Sequence, residues 1–365
     1  MPNLTESGLK GLATRILNQL GASPREARVV ADALVEANLD GHDSHGVVRI
    51  PDYVGWIEKG FISPGAALEV VHENNAFAVV DGNWGWGQVV GKRAMEIAIQ
   101  KARKSGVGVV SARQCGHLGR AGDYPLMAAK KGMAALMFLN THGAGRLVAP
   151  WGGSERRLSA NPIAMAVPQS TGEPIVVDIS TCAIAVGKVK VALNAKRPLP
   201  ENCVIDAEGR PTTNPTDFFG PPGGALLPFG GHKGFALALL SDILAGALSG
   251  AGCSRPDATR VANSFLAVVL DIRQFRSRRA FDRDVKQLVE YVKSSKPAPS
   301  FSEILVPGEP ERKERARREK AGIPLDEETW RQLCDTGRKF GLDIEKPSHA
   351  TSGRRNAPRT RAYAR

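Results

Sequence analysis

From about residue 76 onward the chain alternates short β-rich runs with helical stretches, and this alternation restricts it most. The runs fall at 76–80, 107–111, 134–139, 163–167, 175–179 and 265–272. Helical periodicity fills 88–104, 123–131 and 233–248 between several of them. Strands interleaved with helices restrict the fold to a layered α/β arrangement. The order is not a clean βαβ repeat. Only the turn Gln169-Ser170-Thr171-Gly172-Glu173 separates the runs 163–167 and 175–179, a hairpin-length connection, so a mixed sheet is expected.

The first 75 residues read differently. Leu9, Leu12, Ile16 and Leu20 recur at helical spacing, with Gly21 as a stop. Ser23-Pro24-Arg25-Glu26 is a capping box with proline at the first helical position, and Val30, Leu34 and Ala37 share the face that follows. Near the other end, 309–320 is dense in both charge signs, the pattern of an exposed helix, and 326–339 reads as one more helix. Residues 196–231 are rich in Pro and Gly, as a long functional loop is.

Composition narrows the function classes. No apolar run approaches the roughly 18 residues that span a bilayer, so no membrane association is expected. The N-terminus lacks the layout of a signal peptide. Five scattered cysteines without a CxxC pair argue against a disulfide framework or a structural zinc site and suit a reducing, cytoplasmic setting. The net charge is +12, but Arg354, Arg355, Arg359, Arg361 and Arg365 sit on an acid-free end, leaving +7 on the rest. Residues 346–365 read as a basic, disordered tail. The basic balance raises a nucleic-acid-binding alternative, yet no helix-turn-helix, RNP signature or zinc module accompanies it, and no specific nucleic acid is expected. A net positive body also suits an anionic substrate and a phosphate-bearing cofactor.

Four clusters carry chemistry. His42-Asp43-Ser44-His45-Gly46, with Arg49 and Tyr53, packs imidazoles, a carboxylate, a guanidinium and a phenol at a helix end. Imidazole suits a proton donor near neutral pKa, and guanidinium suits a carboxylate clamp. The same residues equally suit a helix-end capping network. Cys115-Gly116-His117-Leu118-Gly119-Arg120 follows a strand and precedes a helix, where backbone N–H groups can approach a phosphate. Ser159-Ala160-Asn161-Pro162 and Asp178-Ile179-Ser180-Thr181-Cys182 flank strands, and Gly230-Gly231-His232-Lys233 opens a helix. There is no GxGxxG after a strand and no GxxxxGK[ST], GxSxG or HExxH.

The segment 36–49, Glu-Ala-Asn-Leu-Asp-Gly-His-Asp-Ser-His-Gly-Val-Val-Arg, resembles the type-2 malate/L-lactate dehydrogenase family. The likeness continues through 116–120, Val148-Ala149-Pro150-Trp151-Gly152-Gly153, Asn161-Pro162, 178–188, 228–234 and Val306-Pro307-Gly308-Glu309, over about residues 5–340. The resemblance implies an NAD- or NADP-dependent oxidoreductase acting on a small 2-hydroxy or 2-oxo acid, with a cyclic-imine reductase as the alternative within the family. An inactive binding protein is the alternative outside the enzyme class.

The implied fold is a mixed-sheet, non-Rossmann dinucleotide-binding α/β domain over 76–304. A helical portion over 1–75, joined by C-terminal helices 305–345, packs on it. The implied assembly is a homodimer. By resemblance His45 is the proton donor and acceptor, with Ser44 and Asp178 as relay or orienting partners and His117 as a second acid–base candidate. Arg49, Tyr53 and Asn161 would face the substrate. His117, Leu118, Gly119, Arg120, Asp178, Ser180, Thr181, Lys233, Pro307, Gly308 and Glu309 would hold the dinucleotide, and no metal is implied. Three departures stand out: Ala160 where relatives have Thr, Cys182 where they have Ser, and a short stretch over 253–265, which would alter substrate selection first.

Overall fold

The computed structural model describes residues 2–170 and 172–344. The basic tail read at 346–365 lies outside the described residues. Seven strands form the main sheet, in the spatial order Glu69–Glu73, Phe77–Asp81, Val107–Cys115, Asn263–Leu270, Ala134–Asn140, Ile163–Val167 and Ile175–Ile179. Phe77–Asp81 and Val107–Cys115 run parallel, joined through the helix Gly87–Ser105, and the other neighbours in the sheet are antiparallel. The sheet is therefore mixed, as the hairpin-length turn after 167 implies. The central strand Asn263–Leu270 is the most buried, which suits its run of Phe, Leu and Val.

Helix Gly87–Ser105 lays Val90, Ala94, Met95, Ala98 and Ala102 against this sheet. The approach is close: a Cβ at Gly108 would stand 1.9 Å from the Ala98 carbonyl oxygen, so that strand position admits only glycine.

The first two helices, Glu6–Gln19 and Pro24–Leu39, begin at side-chain caps. Thr5 accepts from Gly8, and Ser23 and Glu26 complete the capping box reciprocally. Leu9, Ile16, Leu17, Val30 and Leu34 are fully buried and share one apolar cluster with Ile323, Trp330 and Leu333 from the far end of the chain. Asn3–Leu4 pairs with Ile323–Pro324, which ties the two ends together.

The densely charged helix Glu309–Ala321 is not simply exposed. Arg318 is only 7% accessible and donates to both Asp43 oxygens, at 2.6 and 2.9 Å, and to the Asn38 carbonyl at 2.7 Å. Arg315 donates to Asp40 at 2.7 Å and pairs with Glu36. Its burial rests on ion pairs, which apolar periodicity does not register. The helix read at 233–248 is an α-helix over His232–Asp242 continued by a π-helical turn at Ile243–Ala247. There Asn140 and Gly252 crowd Gly246, where a Cβ would meet the Asn140 amide at 2.4 Å. The Pro/Gly-rich stretch holds three two-residue strands, Val204–Ile205, Pro211–Thr212 and Ala225–Leu226, too short to show a period.

Candidate active site

Residues 40–53 leave helix Pro24–Leu39 through two 3-10 turns, Asp43–His45 and Val47–Arg49, before the helix Ile50–Glu58. Asn38, 2% exposed, holds this path. Its Nδ2 donates to Asp43 at 2.7 Å and its Oδ1 accepts from the Val47 N–H at 3.0 Å. Gly46 lies so close over it that a Cβ would overlap Oδ1 at 2.3 Å. The sequence grammar of the loop thus has a packing cause as well as a chemical one.

His45 emerges from this turn half-buried, with Ser44 Oγ 3.1 Å from its Nδ1. Its ring stacks on His117, centroids 5.8 Å apart and planes within 9°. Burial, then the neighbouring Arg49, His42 and Arg120, push its pKa down to about 4. Imidazole type alone suggests a near-neutral titration; this surrounding keeps His45 neutral to a lower pH instead. His117 is depressed as well, by burial first and then by Arg49 and His45. Arg49 donates to the Ser44 carbonyl at 2.6 Å and to Asp52 at 2.9 Å, so its guanidinium is held beside the pair.

Tyr53 is fully buried. Its phenol lies 3.2 Å from His117 Nδ1 and accepts from Gln88 Nε2 at 2.6 Å. It therefore supports His117 more directly than it faces a substrate. Trp56, one turn further, packs on His117 with centroids 5.7 Å apart. Gln88 and Trp56 escape a motif reading. One is a polar residue in the first turn of a buried helix, and the other reads as an ordinary core aromatic.

Asp178 has other partners than the predicted His45 and Ser44. Its carboxylate accepts from the Gly122 N–H at 2.7 Å and lies 3.8 Å from Arg120 Nε. The strand end that carries it still approaches the site. Thr181 follows, bonded to the Ala160 carbonyl at 2.8 Å, and Gly187 sits where a Cβ would meet Ser44 at 3.5 Å.

Arg120 is 5% exposed, with Nη1 bound to Asp40 and, at 3.0 Å, to Asp123. It is an ion-pair hub rather than a free phosphate ligand, because three carboxylates already surround it. Asn161 is also spent internally. It is fully buried, donates to the Ala238 carbonyl at 2.9 Å and accepts from Ser159 at 2.5 Å. It fixes helix His232–Asp242 and has no open face for a substrate.

Among the residues predicted for a dinucleotide, Leu118 donates its N–H to Asn263 at 2.9 Å and Gly119 takes φ +74°. Ser180 is half-buried beside Cys182, whose thiol burial pushes up to about 12. Pro307 accepts from the Val176 N–H, and Glu309 is held by Lys293 and the Val306 N–H. Lys233 is exposed at the start of its helix, after two left-handed glycines, and Phe229 N–H bonds to the Thr181 carbonyl at 3.0 Å beside it. A cleft of about 780 Å³ runs between helices Pro24–Leu39, Asp123–Ala129 and Glu309–Ala321. Three residues lining it carry buried polar atoms with no hydrogen-bond partner among the described residues: Gln88 Oε1, Arg120 Nε and Glu311 Oε2.

Residues 4–334 match the family model described as malate/L-lactate dehydrogenase. The chain is 38% identical to an L-sulfolactate dehydrogenase of Methanocaldococcus jannaschii, over 92% of this chain and 96% of that one. It is also 38% identical to a malate dehydrogenase of Pyrococcus horikoshii, over 90% and 93%. In structure it resembles a putative malate/lactate dehydrogenase of E. coli, with a TM-score of 0.89 at 33% identity over 94% and 96%. It also resembles a delta1-piperideine-2-carboxylate reductase of Pseudomonas syringae, with a TM-score of 0.80 at 31% identity over 92% and 100%.

Proposed function

The chain belongs to the malate/L-lactate dehydrogenase family, and from that premise we propose that it moves a hydride between a nicotinamide cofactor and a small 2-hydroxy or 2-oxo acid. The observation that carries this reading is the neutral His45 stacked on His117 with Arg49 held beside both.

Neutral His45 is a base in the oxidative direction: it takes the substrate hydroxyl proton at a ring nitrogen while Ser44 bonds Nδ1. Arg49 pairs with the substrate carboxylate through its planar fork. That pairing cancels the cation that depresses His45, so the imidazole gains basicity when the anion is in place. His117, backed by Tyr53 and Gln88, presents its other nitrogen as a fixed donor. Trp56 and Trp86 wall this side against water.

A nicotinamide dinucleotide, NAD or NADP, supplies or accepts the hydride when bound. The residues fit such a group. The cleft has the volume of a cofactor site and its orphaned donor and acceptor atoms suit ribose hydroxyls, while His45, His117 and Lys233 lie outside its lining. Lys233, beside Thr181 and the glycine turn, suits a phosphate. Gly119, Ser180 and Gly308 border these elements, and Asp178 fixes the 120–122 turn rather than a histidine. This use of a mixed sheet, without the GxGxxG turn, makes it a non-Rossmann cofactor domain.

The reading includes a homodimer in the cytoplasm. Leu240, Ile243 and Leu248 expose apolar surface on one helical segment, which a second copy would cover, and no disulfide joins the cysteines among the described residues. A cyclic imine is the second substrate reading, favoured by the likeness to the Pseudomonas syringae reductase.

The test is loss of reduced-nicotinamide absorbance, with NADH and NADPH tried separately, against a panel of 2-oxo acids and one cyclic imine. Turnover on a 2-oxo acid supports the proposal. Turnover on the imine alone moves the substrate to the second reading, and silence with every pair rejects both. His45→Ala should lower turnover by about 10²–10⁴-fold.

A further inference from the structure

A second group of cations, without firm carboxylate partners among the described residues, gathers around Trp84 and His142. Arg260 stacks its guanidinium 3.8 Å from the Trp84 ring centroid and lies 5.3 Å from that of Phe61. Among the described residues its hydrogen bond goes to the Gly60 carbonyl, at 3.0 Å. Among the described residues the Arg255 guanidinium reaches the exposed Asp257, at 3.6 Å, and the Cys253 carbonyl at 3.4 Å. His142 packs on the other side of this group, its ring 4.9 Å from Trp84. Burial, then Arg255 and Arg260, hold its pKa below the ordinary value, and its Nε2 is buried without a partner.

The backbone is strained at the same place. Asn83, Trp84 and His142 take φ values of 48°, 62° and 57°, the left-handed region that non-glycine residues rarely occupy. Such strain persists where surrounding structure enforces it, and it clusters at ligand sites.

Two short links tie this group to His117. The Trp56 ring that packs on His117 belongs to the residue whose carbonyl accepts the Phe61 N–H at 2.6 Å. On the other flank, Asn263 accepts from the Leu118 N–H and donates to the Asn140 carbonyl, both at 2.9 Å, two residues before His142.

We propose that Arg260, with Arg255 and His142, forms a second anion seat that takes the distal acidic group of a dianionic 2-oxo or 2-hydroxy acid, a carboxylate or sulfonate, while Arg49 takes the acid beside the reacting carbon. This rests on the proposed function and deepens it. A guanidinium occupied only by a carbonyl and an aromatic face keeps N–H donors free for a bidentate oxyanion. Both arginines lie in the stretch 253–265, read above as short beside the family it resembles.

The experiment is steady-state kinetics on oxaloacetate and pyruvate, each with NADH and NADPH, for the wild type, Arg260→Gln and Arg260→Lys. Arg260→Gln should lower kcat/KM for oxaloacetate by about 10–100-fold, mainly through KM, the range for losing a charged hydrogen bond. The loss on pyruvate should be at least roughly tenfold smaller. Arg260→Lys should fall between, since charge stays and the fork is lost, and it carries the test if the glutamine variant does not fold.

Equal losses on both acids, or no loss on oxaloacetate, overturn the proposal. A loss confined to NADPH overturns it in favour of a cofactor phosphate. If the wild type turns over no 2-oxo acid, the broader reading fails on its own. Calorimetric titration with L-malate and L-lactate then still reads the seat: selective weakening of malate in Arg260→Gln supports it, and equal binding overturns it.

Discussion

The phenol of Tyr53 lies 3.2 Å from Nδ1 of His117, and a third residue sets the direction of that bond. Gln88 Nε2–H donates to the same phenol oxygen at 2.6 Å, so the phenol proton points at His117. Nδ1 is then an acceptor, and the ring hydrogen sits on Nε2. Gln88 thus acts on the histidine through Tyr53.

Gln88→Leu should therefore reduce kcat by about tenfold, with KM moving much less. Nitrogen NMR of labelled histidine should show His117 losing its fixed tautomer. The melting temperature should change little, because the Gln88 Oε1 is buried without a partner and its removal relieves a desolvated group. A lower melting temperature with normal kcat and an unchanged His117 signal would assign Gln88 to packing alone.

His45 titrates near 4 because burial and then Arg49 disfavour its cation. Base catalysis needs the neutral ring, so kcat/KM for hydroxy-acid oxidation should rise with pH through about 4 and level off above it. Removing the neighbouring cation favours the imidazolium. In Arg49→Gln the His45 midpoint, followed by proton NMR, should move upward. A midpoint that stays or falls would show that Arg49 exerts no field on the ring.

Asp123 is a half-buried acid raised to about 6, by desolvation first; Arg120 opposes the rise, and Asp40 and Asp178 add to it. A carboxyl whose folded pKa exceeds its unfolded value binds more protons in the native state. Stability should then fall as pH rises from about 4 to about 6. Asp123→Asn removes that slope. Above neutral pH it should melt at or above the wild-type temperature, by up to about 2–4 °C, with the gap closing near pH 4. Parallel melting curves across this window would reject the assignment.

Arg318 joins helix Glu309–Ala321 to the turn bearing Ser44 and His45 through Asp43 and the Asn38 carbonyl. Arg318→Leu should cost about 2–4 kcal/mol, since a buried acceptor loses its partner while Asp43 stays half solvated. Activity below the melting transition should fall with it, because the loop that aims His45 loosens. Denaturant unfolding and turnover on the same samples check both.

Much of this architecture could be read from local patterns. The capping box at Ser23 and Glu26 formed as its residues require, because both partners lie three positions apart on one turn. Ile163–Val167 and Ile175–Ile179 pair antiparallel because their connection is too short for a crossover. The turn carrying Ser44, His45 and Arg49 was visible for the same reason: its members are neighbours in the chain. By contrast, strand Glu69–Glu73 is exposed throughout and carries no alternation to find. Helix Arg278–Lys293 does carry a helical stripe, Phe281, Val285, Leu288 and Val292, although it buries no residue fully.

The sequence by itself determined the local elements, the mixed sheet and the cluster around His45, because each depends on residues a few positions apart. The tertiary structure alone decided which distant groups meet. It stacked His117 on His45 and drew Gln88 to Tyr53. It closed Asp40, Asp123 and Asp178 around Arg120, and it set Arg260 against Trp84. These pairings join residues far apart in the chain, and charge and hydrogen-bond geometry hold them. Hydrophobic periodicity carries no record of either, which is why the densely charged helix Glu309–Ala321 reads as solvent-exposed until Arg318 is seen buried against Asp43.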